Sequence, residues 1–441
     1  MYLSILSLNY SYNVGFKQKE VINMIQNFSC KNFRNIAADN LSFEKINILI
    51  GPNNSGKTNF IRALTFFAEM LDRADEGKLK SSFLNAVARN GWEHMLNKDA
   101  REDKEIRFTW KLNLNGAPVE YIFACTVGNT IEDCNIVLEE MNSATENVKY
   151  DQAFNYFRCH DRKLGEGVFS SSMVRGGRNK RLRFKLDCQE SLIRQFKDIL
   201  LNNAGIYRDT LVRGQIQDLL YQIQDYFFQY SVYATSKFNT EKMRLPVGVK
   251  NLDSTLSYDG SNFTNVFNHY KSEDLIWKSK FESFMRELIP DLQVVDTVTF
   301  YDNLIFKLVY GGGQYDLSDV SEGTLKGLIL NMLINMPMET KKSMLAIDEP
   351  ENNLHPAWQK VIGNWIQTSE NYDQCFISTH SPDFLDVFTE EFKHENVAVF
   401  VFDNNGTIKK ITYADIADEL GEWELGDLYR TNDPALGGWP W

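Results

Sequence analysis

Four short stretches carry residues whose types and spacing suit phosphoryl chemistry. Gly51-Pro52-Asn53-Asn54-Ser55-Gly56-Lys57-Thr58 satisfies the pattern G-x-x-x-x-G-K-[ST]. Such a loop wraps a β-phosphate in backbone N–H groups, along a path that needs glycine where the chain turns. The helix behind it points its partly positive N-terminus at the same phosphates. Lys57 can then reach the β- and γ-phosphates, and the Thr58 hydroxyl can coordinate Mg2+. Residues 344–347 form an apolar run that ends in Asp348-Glu349. Successive side chains on a strand face opposite ways, so the two acids can divide the work. Asp348 is assigned to the metal shell and Glu349 to the water that attacks the γ-phosphate.

The other two stretches are weaker alone. Ser321 is a good N-cap for a predicted helix over 324–334, with Gly323 in its first turn, which by itself is only a helix start. His380 closes a predicted strand over 374–378, where an imidazole could hydrogen-bond a γ-phosphate. The order along the chain adds weight: phosphate loop, capped glycine turn, acidic strand end, histidine.

These residues need elements to hold them. Residues 25–30, 41–43 and 46–50 read as strands leading into the loop. Phe60, Ala63, Leu64, Phe67, Met70 and Leu71 then recur at helical spacing. Residues 106–114 and 121–127 read as a hairpin around Asn115-Gly116. Leu192, Ile193, Phe196, Ile199 and Leu200, then residues 216–228, give helical periodicity and predict a helical insertion. The last third alternates helix and strand, with strands over 343–347, 374–378 and 397–402 and a helix over 382–388. That alternation implies a parallel sheet covered by helices. The expected division is an unassigned extension over 1–23, an N-terminal lobe over 24–150, an insertion over 151–250 and a C-terminal lobe over 251–441.

The bulk numbers set limits. A chain of 441 residues with 43% hydrophobic and 24% charged residues is globular in balance and long enough for a large core. Its net charge of −12 excludes a general polycation, so contact with nucleic acid has to come from a local patch. Six cysteines with no C-x-x-C pair argue against a zinc site or a disulfide framework. No signal peptide and no membrane-length apolar run is visible, so no membrane contact and a cytoplasmic location are expected. The densest positive run spans 174–185, with Arg175, Arg178, Lys180, Arg181, Arg183 and Lys185. It suits phosphate-backbone contact with DNA, RNA or a phage trigger, docking of an acidic partner, or simply a solvated hairpin. His160, Asp161, Glu166 and Asp187 are too scattered to support a nuclease hidden in the insertion.

Taken together, the four motifs resemble the set of an ABC-type ATPase: Walker A, signature, Walker B and switch histidine. Glu351-Asn-Asn-Leu-His-Pro356 fills the D-loop place. The sequence is similar to the RecF/SMC-like branch, especially the OLD-like (overcoming lysogenisation defect) group. Ile25-Gln-Asn-Phe-Ser-Cys-Lys-Asn-Phe33-Arg34-Asn35-Ile36, Asp259-Gly260 and Asp348-Glu-Pro-Glu-Asn-Asn-Leu-His-Pro356 carry the likeness, as do Glu424-Leu-Gly-Asp-Leu-Tyr-Arg430 and Leu436-Gly-Gly. The resemblance implies an α/β head with a parallel RecA-like core, an antiparallel β lobe and a mostly helical insertion. It also implies ATP and Mg2+ as ligands and places Arg34 near the nucleotide. Two heads would form a homodimer around two sandwiched ATPs, Ser321 and Gly323 meeting the γ-phosphate held by the other copy; assemblies above a dimer are compatible with this. OLD nucleases carry a TOPRIM domain after the ATPase, and this chain ends too early for one. Ser-Glu-Gly replaces the transporter form Leu-Ser-Gly-Gly, no Q-loop glutamine stands out, and no heptad run suggests a coiled coil. The closest likeness is to stand-alone ATPase subunits of antiphage systems of the PARIS, Septu and RloA/AbiL kinds. These work with a separately encoded nuclease or toxin. A DNA-repair or DNA-clamping ATPase of the RecF/SMC kind is the alternative.

Overall fold

The structure, a computed structural model, describes residues 23–437 apart from 72–80, 101–103, 115, 148–151, 164–165, 171–181, 197–209, 250–252, 337–340 and 405. The expected extension over 1–23, all but its last residue, and most of the basic stretch lie outside the described residues.

The first three strands are β1 (Met24–Phe33), β2 (Ile36–Ser42) and β3 (Ile46–Ile50). A hairpin of β4 (Glu105–Leu114) and β5 (Ala117–Thr126) follows, then β6 (Asn135–Asn147), β7 (Gln152–Lys163), β8 (Glu166–Ser170) and β9 (Leu182–Lys185). The rest are β10 (Tyr230–Ala234), β11 (Val247–Gly248), β12 (Val294–Phe300), β13 (Asn303–Tyr310), β14 (Gly313–Asp316), β15 (Lys342–Asp348), β16 (Tyr372–Ser378), β17 (Val397–Phe402) and β18 (Ile408–Ile411). One sheet has the order β2-β1-β4-β5-β6-β7-β8-β9, and its pairings are antiparallel. A second has the order β10-β15-β16-β3-β17-β18 and is parallel except at β18. Strands β11 to β14 make a small third sheet.

Burial follows from this layout. All five residues of β3 are buried, because the strand lies between β16 and β17 with both faces covered. Its alternate residues split between two cores. Ile46, Ile48 and Ile50 join Ile347, Ile377 and Val399 on one face. Leu49 joins Phe376, Ala398 and Phe400 on the other, with the antiparallel sheet. The helix Lys57–Leu71 is wedged between the sheets by its phenylalanines. Phe60 meets Phe28 of β1 at 6.0 Å and Phe402 of β17 at 5.6 Å, while Phe67 meets Tyr121 of β5 at 4.8 Å. The loop ahead of that helix is thus fixed from both layers. The helix Glu322–Asn335 is buried continuously from Thr324 to Ile334, as its all-round apolar sequence requires.

Residues 151–250 depart from the expected helical insertion. Strands β7, β8 and β9 continue the antiparallel sheet, with Leu138 of β6 opposite His160 of β7. Helix Thr210–Phe228 packs Phe227 against Phe67 at 4.9 Å and Trp110 at 5.6 Å. β10 then forms an edge of the parallel sheet beside β15. The stretch feeds both sheets. Strand β7 carries Arg158, Asp161, Arg162 and Lys163, and its pairing to β6 joins it, and β8 and β9 beyond it, to the sheet.

Candidate functional site

The loop between β3 and the helix Lys57–Leu71 adopts backbone angles that its glycines permit. Gly51 has φ 140° and Gly56 has φ 112°. A Cβ on Gly51 would lie 2.3 Å from the Phe402 carbonyl oxygen, so β17 requires hydrogen at that position. Asn54 also has positive φ, at 66°. Asn53 and Asn54 are exposed at the crest, while Ser55, Gly56 and Lys57 are buried at its base. The Lys57 ammonium donates to the carbonyls of Gly51 and Pro52, both at 2.9 Å. Burial holds its pKa down at about 8, against the pull of Asp348, Glu349 and Glu351.

Strand β15 delivers the two acids beside this loop. Thr58 Oγ1 donates to Asp348 Oδ2 at 2.8 Å, across 290 residues of sequence. Asp348 also accepts from the Ser378 hydroxyl at the end of β16. Glu349 leaves the strand with φ 53°, a left-handed turn costly for a non-glycine residue. Its N–H donates to Ser378 O and Oγ, both at 3.1 Å. The Glu349 carbonyl accepts from Thr235 Oγ1, which follows β10. The turn is thus over-determined, and it swings the Glu349 carboxylate toward His380. Nε2 of His380 lies 3.7 Å from Glu349 Oε1. Burial, then the Lys57 charge, hold the imidazole pKa down at about 4, with Asp348 opposing. The histidine is therefore neutral at physiological pH, and its buried Nε2 has no hydrogen-bond partner. Lys57, Thr58, Asp348, Glu349 and His380 converge.

Three assigned residues lie elsewhere in the chain. Arg34 has φ 51° in the turn between β1 and β2 and donates from Nη2 to the Asn90 carbonyl at 2.6 Å. Its neighbour Asn35 touches the loop, donating to Asn54 O at 3.4 Å and accepting from Asn59 Nδ2 at 2.8 Å. Ser321 caps its helix by accepting from Thr324 N at 3.2 Å and is exposed. A Cβ on Gly323 would lie 3.0 Å from Asn353 O, so this glycine lets residues 351–355 pack on the helix tip. Among the described residues, neither Ser321 nor Gly323 hydrogen-bonds to the loop of its own chain. The sequence reading missed Ser378 and Thr235, which aim the acids. Their only local signal is a hydroxyl near the end of a strand. Among the described residues, no group of three or more His, Cys, Asp and Glu side chains is placed to hold a metal ion. No helix there is long and apolar enough to cross a membrane.

The family profile of the AAA ATPase domain matches residues 24–385, a span that includes the loop, both acids and the histidine. This chain belongs to the AAA ATPase domain family. Endonuclease GajA of Bacillus cereus (strain VD045) is 23% identical over 375 residues, covering 81% of this chain and 56% of that protein. The Old nuclease of Escherichia phage P2 is 31% identical over 131 residues, 27% of this chain and 20% of that one. This AAA ATPase domain protein thus spans little more than half of the first relative and a fifth of the second. Among solved structures, an SMC head bound to the C-winged helix domain of ScpA is 11% identical with a TM-score of 0.45, covering 89% of this chain and 99% of that one.

Proposed function

We propose that this chain binds ATP with Mg2+ and hydrolyses it at a site completed by a second copy, and that the nucleotide cycle controls an effector. The observation that carries the reading is the convergence of Lys57, Thr58, Asp348, Glu349 and His380 on one point, although they come from two strand ends and a helix start. The donor set fits the ligands. Hydroxyl and carboxylate oxygens suit a hard divalent cation, and a buried ammonium on a glycine-bounded loop suits polyphosphate. Thr58 and Asp348 would hold Mg2+, which when bound supplies neutralising charge to the phosphate oxygens.

The chain's own residues do the rest. Backbone N–H groups of residues 51–58 bind the phosphates, and Lys57 exchanges its two carbonyl partners for phosphate oxygens. Glu349 orients a water for in-line attack and accepts its proton. Neutral His380 offers its free nitrogen to the γ-phosphate or that water. Ser321 and Gly323 sit on a solvent-facing helix tip, and this supports their use by the γ-phosphate of a second copy. The resulting homodimer holds two ATPs. A relative named as an endonuclease matches 81% of this chain and one named as a nuclease matches 27% of it, and this supports an effector nuclease or toxin, in the manner of antiphage defence, as the output. Closing and opening of the dimer then signals to it.

The test is Glu349→Gln. ATP affinity should be retained while phosphate release falls by about 10²- to 10⁴-fold. Hydrolysis at the parental rate would overturn the assignment. The trapped variant, used as bait in its native host and read by mass spectrometry, should bring down a nuclease or toxin. DNA-stimulated turnover with no such partner would favour a DNA-clamping role.

A further inference from the structure

One half-buried acid beside the site has no part in the chemistry above. Glu351 follows the catalytic pair by two residues, yet its side chain turns inward. Its Oε1 accepts from Thr379 Oγ1 at 2.8 Å and from the His380 backbone N–H at 2.7 Å. Its Oε2 is buried with no hydrogen-bond partner. Burial, with Glu349 adding to it, pushes this carboxyl above the usual range. A carboxylate placed this way costs free energy and stays half-satisfied, which calls for an explanation in function or fixed geometry.

Its partners point to geometry. Thr379 is fully buried, and its N–H donates to Leu49 O of β3 at 3.0 Å. While donating to Glu351, Thr379 Oγ1 also accepts from the Ser381 N–H at 3.0 Å. The turn at 379–381 is therefore folded around the Glu351 carboxylate, with His380 at its centre. The imidazole that projects from this turn faces Glu349, Lys57 and Asp348.

We propose that Glu351 is a positioning residue that clamps the backbone at Thr379 and His380 and so holds the His380 imidazole against Glu349. The inference rests on the ATPase reading for its kinetic consequence, but the clamp itself can be measured without ATP. What the clamp requires of residue 351 is a hydrogen-bond acceptor of the right length. Gln keeps that acceptor; Ala removes it.

The experiment follows the His380 ring by NMR of protein labelled at histidine Cε1, with His380→Gln assigning its signal among the six histidines. In the parent, this ring should stay neutral between about pH 5 and 8. In Glu351→Ala, the loosened ring should titrate toward the ordinary value of about 6.5. In Glu351→Gln it should behave as in the parent. ATP turnover should separate the same way, Ala losing about 10- to 100-fold in kcat with KM little changed, and Gln keeping the parental kcat. If Glu351→Ala fails to fold, Thr379→Val removes one of the two donors and should move the His380 titration part of the way. The clamp is refuted by parental titration and kcat in Glu351→Ala, or by a Gln variant as impaired as Ala. Absent turnover in the parent would overturn the ATPase reading alone, since the titration still decides the clamp.

Discussion

Lys57 carries its charge into the buried base of its loop, where two carbonyls accept from it. The pKa of about 8 in the folded chain lies below the ordinary value of 10.5. Between these values the unfolded chain binds more protons than the folded one, so stability of the nucleotide-free protein rises with pH across that window. Below it, both states are protonated and the whole cost of burial is present. Lys57→Met should therefore raise the melting temperature of the nucleotide-free protein at neutral pH by about 2–4 °C per kcal/mol recovered. The gap should narrow as pH climbs from about 8 towards 10.5. The same variant should lose the melting-point gain that ATP and Mg2+ give the parent. Thermal unfolding with and without nucleotide checks both halves. A variant less stable than the parent at pH 7, or still stabilised by ATP, contradicts the account. The cost tolerated at Lys57 resembles that at Glu349, which is held at φ 53° by bonds from its neighbours. In both, a local cost, burial at Lys57 and backbone strain at Glu349, falls on a residue that the proposed chemistry uses.

At the scale of elements, the loop is set by how closely β3 and β17 run. Gly51 sits where a Cβ would lie 2.3 Å from the Phe402 carbonyl, at φ 140°. Gly51→Ala should cost about 2–4 kcal/mol through strain and displacement of β17. A urea melt should show this as a lower midpoint, and ATP affinity should fall with it. A variant that melts like the parent would mean that β17 yields freely. The sequence made these elements legible because each has a local signature: a continuous apolar run for β3, a glycine pattern for the loop, and an apolar run ending in two acids for β15. Strands β7, β8 and β9 lacked one. Alternation is visible only at Leu182-Arg-Phe-Lys185, read as a candidate hairpin, and the antiparallel register from β6 through β7 and β8 to β9 is what joins them to the lobe. The convergence of the site was legible only in part. The motifs named Thr58 and Asp348, but the contact spans 290 residues and depends on β15 and β16 lying beside β3. Glu351 was read as the first residue of a loop. Its partners Thr379 and His380 are 28 and 29 residues away, and no local pattern announces a clamp across that distance.

For the whole molecule the proposed dimer raises the question of what would bring two copies together. Each carries a net charge of −12, so approach without a specific attraction is opposed, and salt at physiological strength screens this beyond about 8 Å. In the proposed dimer the attraction is local: the exposed tip at Ser321 would meet the triphosphate on another copy's loop. Association should therefore need ATP and persist when hydrolysis is blocked. Glu349→Gln with ATP and Mg2+ should run by light scattering at twice the chain mass of 51.0 kDa, and as a monomer without nucleotide. Adding Ser321→Arg puts a bulky side chain on the tip while leaving the loop of the same chain untouched. That double variant should bind ATP as tightly as Glu349→Gln and stay monomeric. If instead it dimerises with ATP, the tip does not face the other copy's nucleotide. If it loses ATP binding as a monomer, Ser321 serves the site of its own chain. In the proposed dimer the two sites share one interface, so mixing equal amounts of the Ser321→Arg and Lys57→Met proteins should leave a single competent pairing per dimer. Ser321→Arg would supply the loop and Lys57→Met the tip. A measurable return of turnover in that mixture, absent from either protein alone, is the outcome that a self-contained site cannot produce.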